Sequence, residues 1–162
     1  MKMKVMLDEG AFMPVRAHDA DAGLDLKCRE SVTVYPAIRE IHTKIDAKTG
    51  APIFPEYYPA ECSAAIDTGV HVEIPAGYYG KIETKSGLNR KHHILCTGVV
   101  DEGYTGSIVV MVYNLGSKPY EFNAGDKIAQ LVIQPCIKPE LEQVAEFTQT
   151  ERGDNGFGST GR

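Results

Sequence analysis

The last eleven residues of this 162-residue chain carry groups that a triphosphate needs and too little apolar surface to fold by themselves. They read Arg152-Gly153-Asp154-Asn155-Gly156-Phe157-Gly158-Ser159-Thr160-Gly161-Arg162. Arg152 offers a planar cationic fork for phosphate oxygens. The glycines, Gly158 among them, let backbone N–H groups approach an anion closely, and Ser159 and Thr160 add hydroxyl donors. Phe157 supplies one flat face for a base. The segment lacks the lysine and the strand–loop–helix setting of a P-loop. It reads as a strap that orders over a nucleotide; the plainer alternative is a Gly-rich tail with no ligand.

Four upstream segments hold further chemistry. In Lys85-Ser86-Gly87 a cation, a hydroxyl and a backbone N–H can meet one phosphate, although such a tripeptide is common in loops. In Gly98-Val99-Val100-Asp101-Glu102-Gly103-Tyr104, an apolar run leads into a turn bearing Asp101 and Tyr104. Asp101 is either a turn former or a base for a water, and Tyr104 a flat wall under a sugar. Asp25 belongs to the carboxylate cluster Asp19, Asp21 and Asp25, which beside phosphates points to a divalent cation, most plausibly Mg²⁺. Gln130 lies mid-strand, where a buried amide needs a partner; a ligand, a catalytic water or plain solvent would serve.

The elements that must position these residues are strands. Residues 70–74 and 80–84 alternate apolar and polar, and 31–35, 107–113, 127–133 and 141–147 also fit strands. Gly/Pro/Asn/Asp turns separate them, which predicts an all-β sandwich or barrel. One short helix is expected near residues 88–92. Residues 1–147 read as a single domain, with 36–59 as a hairpin-like insertion: a tolerated surface feature or a docking site for a protein partner. Residues 148–162 read as a mobile arm. His92 and His93 read as structural, and His71 as part of a strand's polar face.

Composition narrows the class. Hydrophobic residues make up 43%, enough for a core, and the formal net charge of -5 argues against a nucleic-acid-binding surface. No apolar run is long enough to span a membrane, and the N-terminus has no signal-peptide pattern. A cytoplasmic setting is expected, bacterial or in the host of a phage. The four cysteines have no metal-ligand spacing and read as buried free thiols in a reducing compartment.

Taken in order, the five segments resemble the five motifs of the trimeric deoxyuridine triphosphatases (dUTPases), over roughly residues 10–162 except the insertion. The resemblance implies a jelly-roll-like distorted β-barrel of the β-clip type. It also implies a homotrimer and Mg²⁺-dependent hydrolysis of dUTP to dUMP and pyrophosphate, which limits uracil in DNA and supplies dUMP for dTMP synthesis. Each site would lie between subunits and be closed by the arm of one of them. Asp101 would deprotonate a water that attacks the α-phosphorus in line, with Gln130 fixing that water or an α-phosphate oxygen. Asp25 would hold the metal through its waters, the phosphates being the direct ligands. Lys85, Ser86 and Gly87 would line the phosphates, and Arg152, Gly158, Ser159 and Thr160 would clamp them. Phe157 would stack on uracil, Tyr104 would exclude a 2′-hydroxyl, and main-chain groups of Gly98, Val99 and Val100 would read the base.

An aspartate with an ordinary pKa near ~4 is a weak base at neutral pH, so most of the rate must come from positioning and charge neutralisation. Lys81 and Lys85 stand where many members have Arg, which keeps the charge but loses the bidentate fork. Gly103 replaces a second acid often seen there. Asp154 adds a negative charge to the arm. The rivals are a dCTP deaminase of the same fold, for which an Arg-Ser-Ser run is expected at 85–87, and a non-catalytic nucleotide-binding trimer. Deletion of residues 152–162 is expected to leave a folded oligomer that hydrolyses dUTP poorly; steady-state kinetics with an unchanged rate would rule out the strap.

Overall fold

A computed structural model of the protein describes residues 2–36, 44–50, 52–53 and 62–154. Along the chain these form β1 (Lys4–Leu7), β2 (Gly23–Lys27), β3 (Val32–Val34), β4 (Lys44–Ile45), β5 (Pro52–Ile53), β6 (Ser63–Asp67) and β7 (Val70–Glu73). Then follow β8 (Tyr78–Glu83), the helix α1 (Ser86–His92), β9 (Ile94–Val100), β10 (Val109–Asn114), β11 (Tyr120–Phe122) and β12 (Lys127–Pro135). The all-β expectation holds. A curled antiparallel sheet in the order β2-β12-β8-β9-β10-β6 forms half a barrel, and the ladders β1–β7, β3–β11 and β4–β5 complete the set.

Alternation explains which faces turn inward. In β8, Gly80 and Ile82 are buried while Lys81 and Glu83 point outward and pair with each other. In β9, Ile94, Cys96 and Val100 are buried, and Val99 is 65% exposed. These inward residues join Val70 and Val72 of β7, Val34 of β3, Phe122 of β11 and Leu131 of β12 in one core. Burial of this kind, at ~25 cal/mol per Å² of apolar surface, is the main favourable term in folding.

β12 breaks the alternation at one point. Its pairing with β2 shifts register between Lys127 and Ala129, and the consecutive residues Ile128 and Ala129 are both fully buried. A bulge bends the strand and re-aims the side chains on either side of it. Beyond it, Gln130 lies directly opposite Asp25 of β2 on one edge and Glu83 of β8 on the other.

Three departures from the sequence expectation stand out. The helix starts at Ser86 rather than near residue 88, and Lys85 at its N-cap makes no side-chain capping bond. Residues 141–147 form no strand: Leu141 is 91% and Phe147 90% exposed, so their apolar spacing has no ladder to pair into. Of the four free cysteines, Cys28 and Cys96 are buried while Cys62 and Cys136 are only partly so. Burial pushes the Cys96 thiol up to about 11. Within the 36–59 insertion the described part is the β4–β5 ladder, Lys44 opposite Ile53; the docking expectation falls mostly outside the described residues.

Asn114, fully buried at the end of β10, is the joint between the sheet and the β3–β11 ladder. Its amide nitrogen donates to the carbonyls of Val34 (2.9 Å) and Lys118 (2.8 Å), and its oxygen accepts from the Gly116 N–H at 3.0 Å. Asn114→Ala strands three backbone groups and is expected to cost about 2–4 kcal/mol. Urea denaturation checks this, and a loss under about 0.5 kcal/mol, the size of an ordinary surface substitution, would refute it.

Candidate active site

A concavity of about 380 Å³ opens where α1 meets the edge of β12. Lys85, Ser86 and Gly87 line it from the start of the helix, Lys91 and His92 from its last turn, and Lys127 and Gln130 from β12. Lys85, still extended in backbone, passes the chain from β8 into α1, so the cation, hydroxyl and glycine N–H stand at one mouth. Gln130 packs against Gly23 of β2. A Cβ there would lie 2.5 Å from the amide oxygen and 3.0 Å from the Gln130 Cβ, so only glycine leaves room for it. The Gln130 amide nitrogen reaches the Thr84 carbonyl at a long 3.4 Å.

Asp25 lies under this concavity, 4% exposed. Lys85 hydrogen-bonds to its Oδ1, and Lys127 Nζ lies 2.6 Å from Oδ2, an ion pair off-axis for a hydrogen bond. Burial alone would push the Asp25 carboxyl up. The two lysines, Lys127 and Lys85, together outweigh it and hold the carboxyl below the usual aspartate value. The outcome is an ionised carboxylate holding two ammonium groups next to each other, close to where anionic oxygens can bind.

Asp101 and Tyr104 belong to another place. The β8–β9 ladder runs from Glu83 opposite Thr97 to Gly80 opposite Val100. Lys85 leaves one end and Asp101 the other, and six residues of strand at ~3.3 Å each separate them by roughly 20 Å. Asp101 is exposed at the head of a turn, and its carbonyl accepts the Tyr104 N–H at 3.2 Å. The Tyr104 hydroxyl donates to the Ser107 carbonyl at 2.9 Å. Its ring lies across Gly106, where any Cβ would collide with it. The Glu102 carboxylate accepts the Gly77 N–H at 3.1 Å and pairs with Lys138 at 2.5 Å, tying the turn down from outside.

Next to that loop, β9 outruns its neighbour. Its pairing with β10 ends at Thr97 opposite Met111, whereas its pairing with β8 continues to Val100. From Gly98 to Val100, the edge of β9 away from β8 therefore has no ladder partner among the described residues. Main-chain groups there can face a planar polar ligand. Arg152 is exposed beyond β12. Phe157, Gly158, Ser159 and Thr160 lie outside the described residues.

The chain thus brings together Asp25, Lys85, Ser86, Gly87 and Gln130, and keeps Asp101 and Tyr104 apart from them. Lys91, Lys127, Gly23 and Gly106 escaped the sequence reading. Among the described residues no three His, Cys, Asp or Glu side chains converge on a metal-sized site, and no helix is long and apolar enough to cross a membrane.

Residues 54–161 match the dUTPase family. The chain is 36% identical to the deoxyuridine 5'-triphosphate nucleotidohydrolase of Clostridium novyi (strain NT), across 98% of its own length and 99% of the relative's. Its fold is similar to that of the Staphylococcus bacteriophage 80alpha dUTPase with dUPNHPP, with a TM-score of 0.75, 32% identity and 99% of both chains covered. It is also similar to a mutant dUTPase from phage phi11 of S. aureus, whose structure concerns the coordination of a structural Mg(II) ion. That match has a TM-score of 0.71 and 30% identity, covering 92% of this chain and 100% of the other.

Because the folded-state pKa of Asp25 is depressed, the stability it contributes is present above the ordinary aspartate value and is lost as pH falls through the lower, folded-state value. Breaking a buried pair is costly, but the two lysines are 28% and 42% exposed, which screens the effect. Asp25→Ala is expected to cost about 1–3 kcal/mol at neutral pH and to flatten the acid limb of the stability curve. Urea melts from neutral pH down to about pH 2.5, below the ordinary aspartate range, check both, and an unchanged acid limb would refute the assignment.

Proposed function

The chain belongs to the dUTPase family, and from that premise we propose that it hydrolyses dUTP to dUMP and pyrophosphate as a homotrimer, each site completed by more than one subunit. The observation that carries the shared site is the division described above. A triphosphate at the lysine-lined concavity is too far from Asp101 of the same chain for that carboxylate to activate a water at its α-phosphorus. An Asp101 loop from a neighbouring copy resolves the mismatch, and the arm of a copy then closes over both.

In this reading the base is held against the open edge of β9 at Gly98, Val99 and Val100, where N–H and C=O groups can answer the polar edge of uracil. Tyr104, fixed by the Ser107 carbonyl and by Gly106, forms a rigid floor for the deoxyribose. A pocket this constrained rejects an added hydroxyl or methyl by clash and an unmatched polar edge by desolvation. Asp101, exposed and at the head of its turn, takes the proton of the attacking water.

At the concavity, Lys85, Ser86 and Gly87 meet the phosphate chain, with Lys127 and Lys91 adding charge. Gln130 orients the water or an α-phosphate oxygen. Mg²⁺ would come bound to the substrate. The donor set fits that role: Asp25 has a lysine at each oxygen, and among the described residues no three His, Cys, Asp or Glu side chains converge to chelate a metal, so it would reach one through water. When bound there, Mg²⁺ would supply positive charge against the phosphate oxygens. The Lys85 and Lys127 ammonium groups can trade Asp25 for phosphate oxygens, and the freed carboxylate is the group that would hold the hydrated metal. Phe157, Gly158, Ser159, Thr160 and Arg152 are assigned to closure.

Product analysis with Mg²⁺ and dUTP, dCTP, dTTP or UTP tests the reading. Pyrophosphate is expected from dUTP alone and is abolished by EDTA, and Asp101→Ala is expected to lower kcat by about 10²–10⁴-fold. Conversion of dCTP to a uracil nucleotide would instead identify a deaminase, and no turnover at all a binding protein.

A further inference from the structure

Outside the concavity, a linked set of polar side chains lies behind the loop that carries Asp101 and Tyr104. His71, on β7, is 17% exposed. One ring nitrogen, Nδ1, lies 2.8 Å from the Thr105 carbonyl, and the other, Nε2, lies 3.2 Å from Asp8 Oδ1. A carbonyl and a carboxylate are both acceptors with no hydrogen to give. A neutral imidazole donates from one nitrogen only, so both contacts are hydrogen bonds only when His71 is an imidazolium.

The contact with Asp8 continues into a closed ring. Arg29 Nη1 donates to Asp8 Oδ2 at 3.3 Å, and Arg29 Nη2 faces Asp67 Oδ2 at 3.8 Å. Asp67 accepts the Ser107 hydroxyl and, at 3.0 Å, the Gly69 N–H. The ring therefore leaves the loop at Thr105 and returns to it at Ser107, the residue whose carbonyl holds the Tyr104 hydroxyl. Other charges near His71 are Glu73 on its own strand, paired with Lys4 of β1 at 2.9 Å. Met6, its cross-strand neighbour on β1, is uncharged.

We propose that His71 is a positioning residue for the reaction. In its protonated form it fastens the Thr105 limb of the Asp101–Tyr104 loop to the β1–β7 ladder, and it releases one end of that anchor on deprotonation. The catalytic consequence rests on the functional reading above; the structural one does not. The hydrogen bond to the Thr105 carbonyl, then the bond and charge of Asp8 and the charge of Asp67, raise the imidazole above the usual histidine value despite its desolvation. The anchor is therefore complete at low pH and lost as pH rises through the raised value. Glu102 holds the opposite limb through Gly77 and Lys138, so the loop loosens on one side only.

The test is a titration of ¹⁵N-labelled wild-type, His71→Gln and Asp8→Asn proteins from about pH 5.5 to about pH 9, around the ordinary histidine value. It is read at the His71 imidazole and at the Tyr104–Ser107 amides, alongside the pH profiles of KM and kcat for dUTP. In the wild type the loop amides are expected to move with the imidazole. KM is expected to rise about three- to tenfold across that step, the net size of one ordinary lost hydrogen bond, with a smaller change in kcat. His71→Gln is expected to abolish the step, and Asp8→Asn to move it to lower pH. Loop amides that stay still while the imidazole titrates, or a full step retained in His71→Gln, would overturn the proposal. The amide titration decides it even with a protein that proves inactive on dUTP.

Discussion

The bulge in β12 between Lys127 and Ala129 is the constraint on which the rest of the site depends. In a regular strand, residues three apart face opposite sides, so Lys127 and Gln130 would not share a surface. The bulge turns Ile128 and Ala129 into the core together and leaves Lys127 and Gln130 lining one concavity. It also sets Gln130 opposite Asp25, and that pairing puts the carboxylate within reach of Lys127. The bend that curls the sheet toward a half-barrel thus also gathers the polar groups.

Gathering them creates an electrostatic problem. Lys85 and Lys127 approach the same aspartate, and Lys91 lines the same hollow. Without Asp25, like charges would face each other across a partly solvated space. With it, the lysines are held ready at modest cost, because one buried anion serves both. The same arrangement suits reversible binding of a polyanion, since an incoming phosphate can replace the carboxylate as the partner of either ammonium. Stability of the empty protein and affinity for the ligand then draw on the same cations.

Much of this was legible in the sequence, for reasons that differ by element. β7, β8, β10 and β12 announce themselves by alternation or by β-branched runs, and Asp25, Lys85, Asp101 and Gln130 fall in the short segments first singled out. Lys127 was hidden because period-two reasoning assigns it to the face opposite Gln130, and a bulge leaves no mark in residue type. Residues 141–147 misled because apolar spacing records a willingness to pair, not the presence of a partner. His71 looked like a polar strand position; its two acceptors come from Asp8 and Thr105, both far away in sequence. The separation of Asp101 from Lys85 follows only from the register of β8 against β9.

The edge of β9 that has no ladder partner among the described residues has a consequence for how such a protein changes over generations. Val99 is 65% exposed, and the main-chain groups around it stay the same whichever L-residue stands there, proline excepted. A base read by those groups is read by something that most point substitutions leave untouched. Selectivity stored this way drifts little while the surface around it diversifies. It is vulnerable to insertions and deletions, which slip β9 against β8 and displace every main-chain group at once.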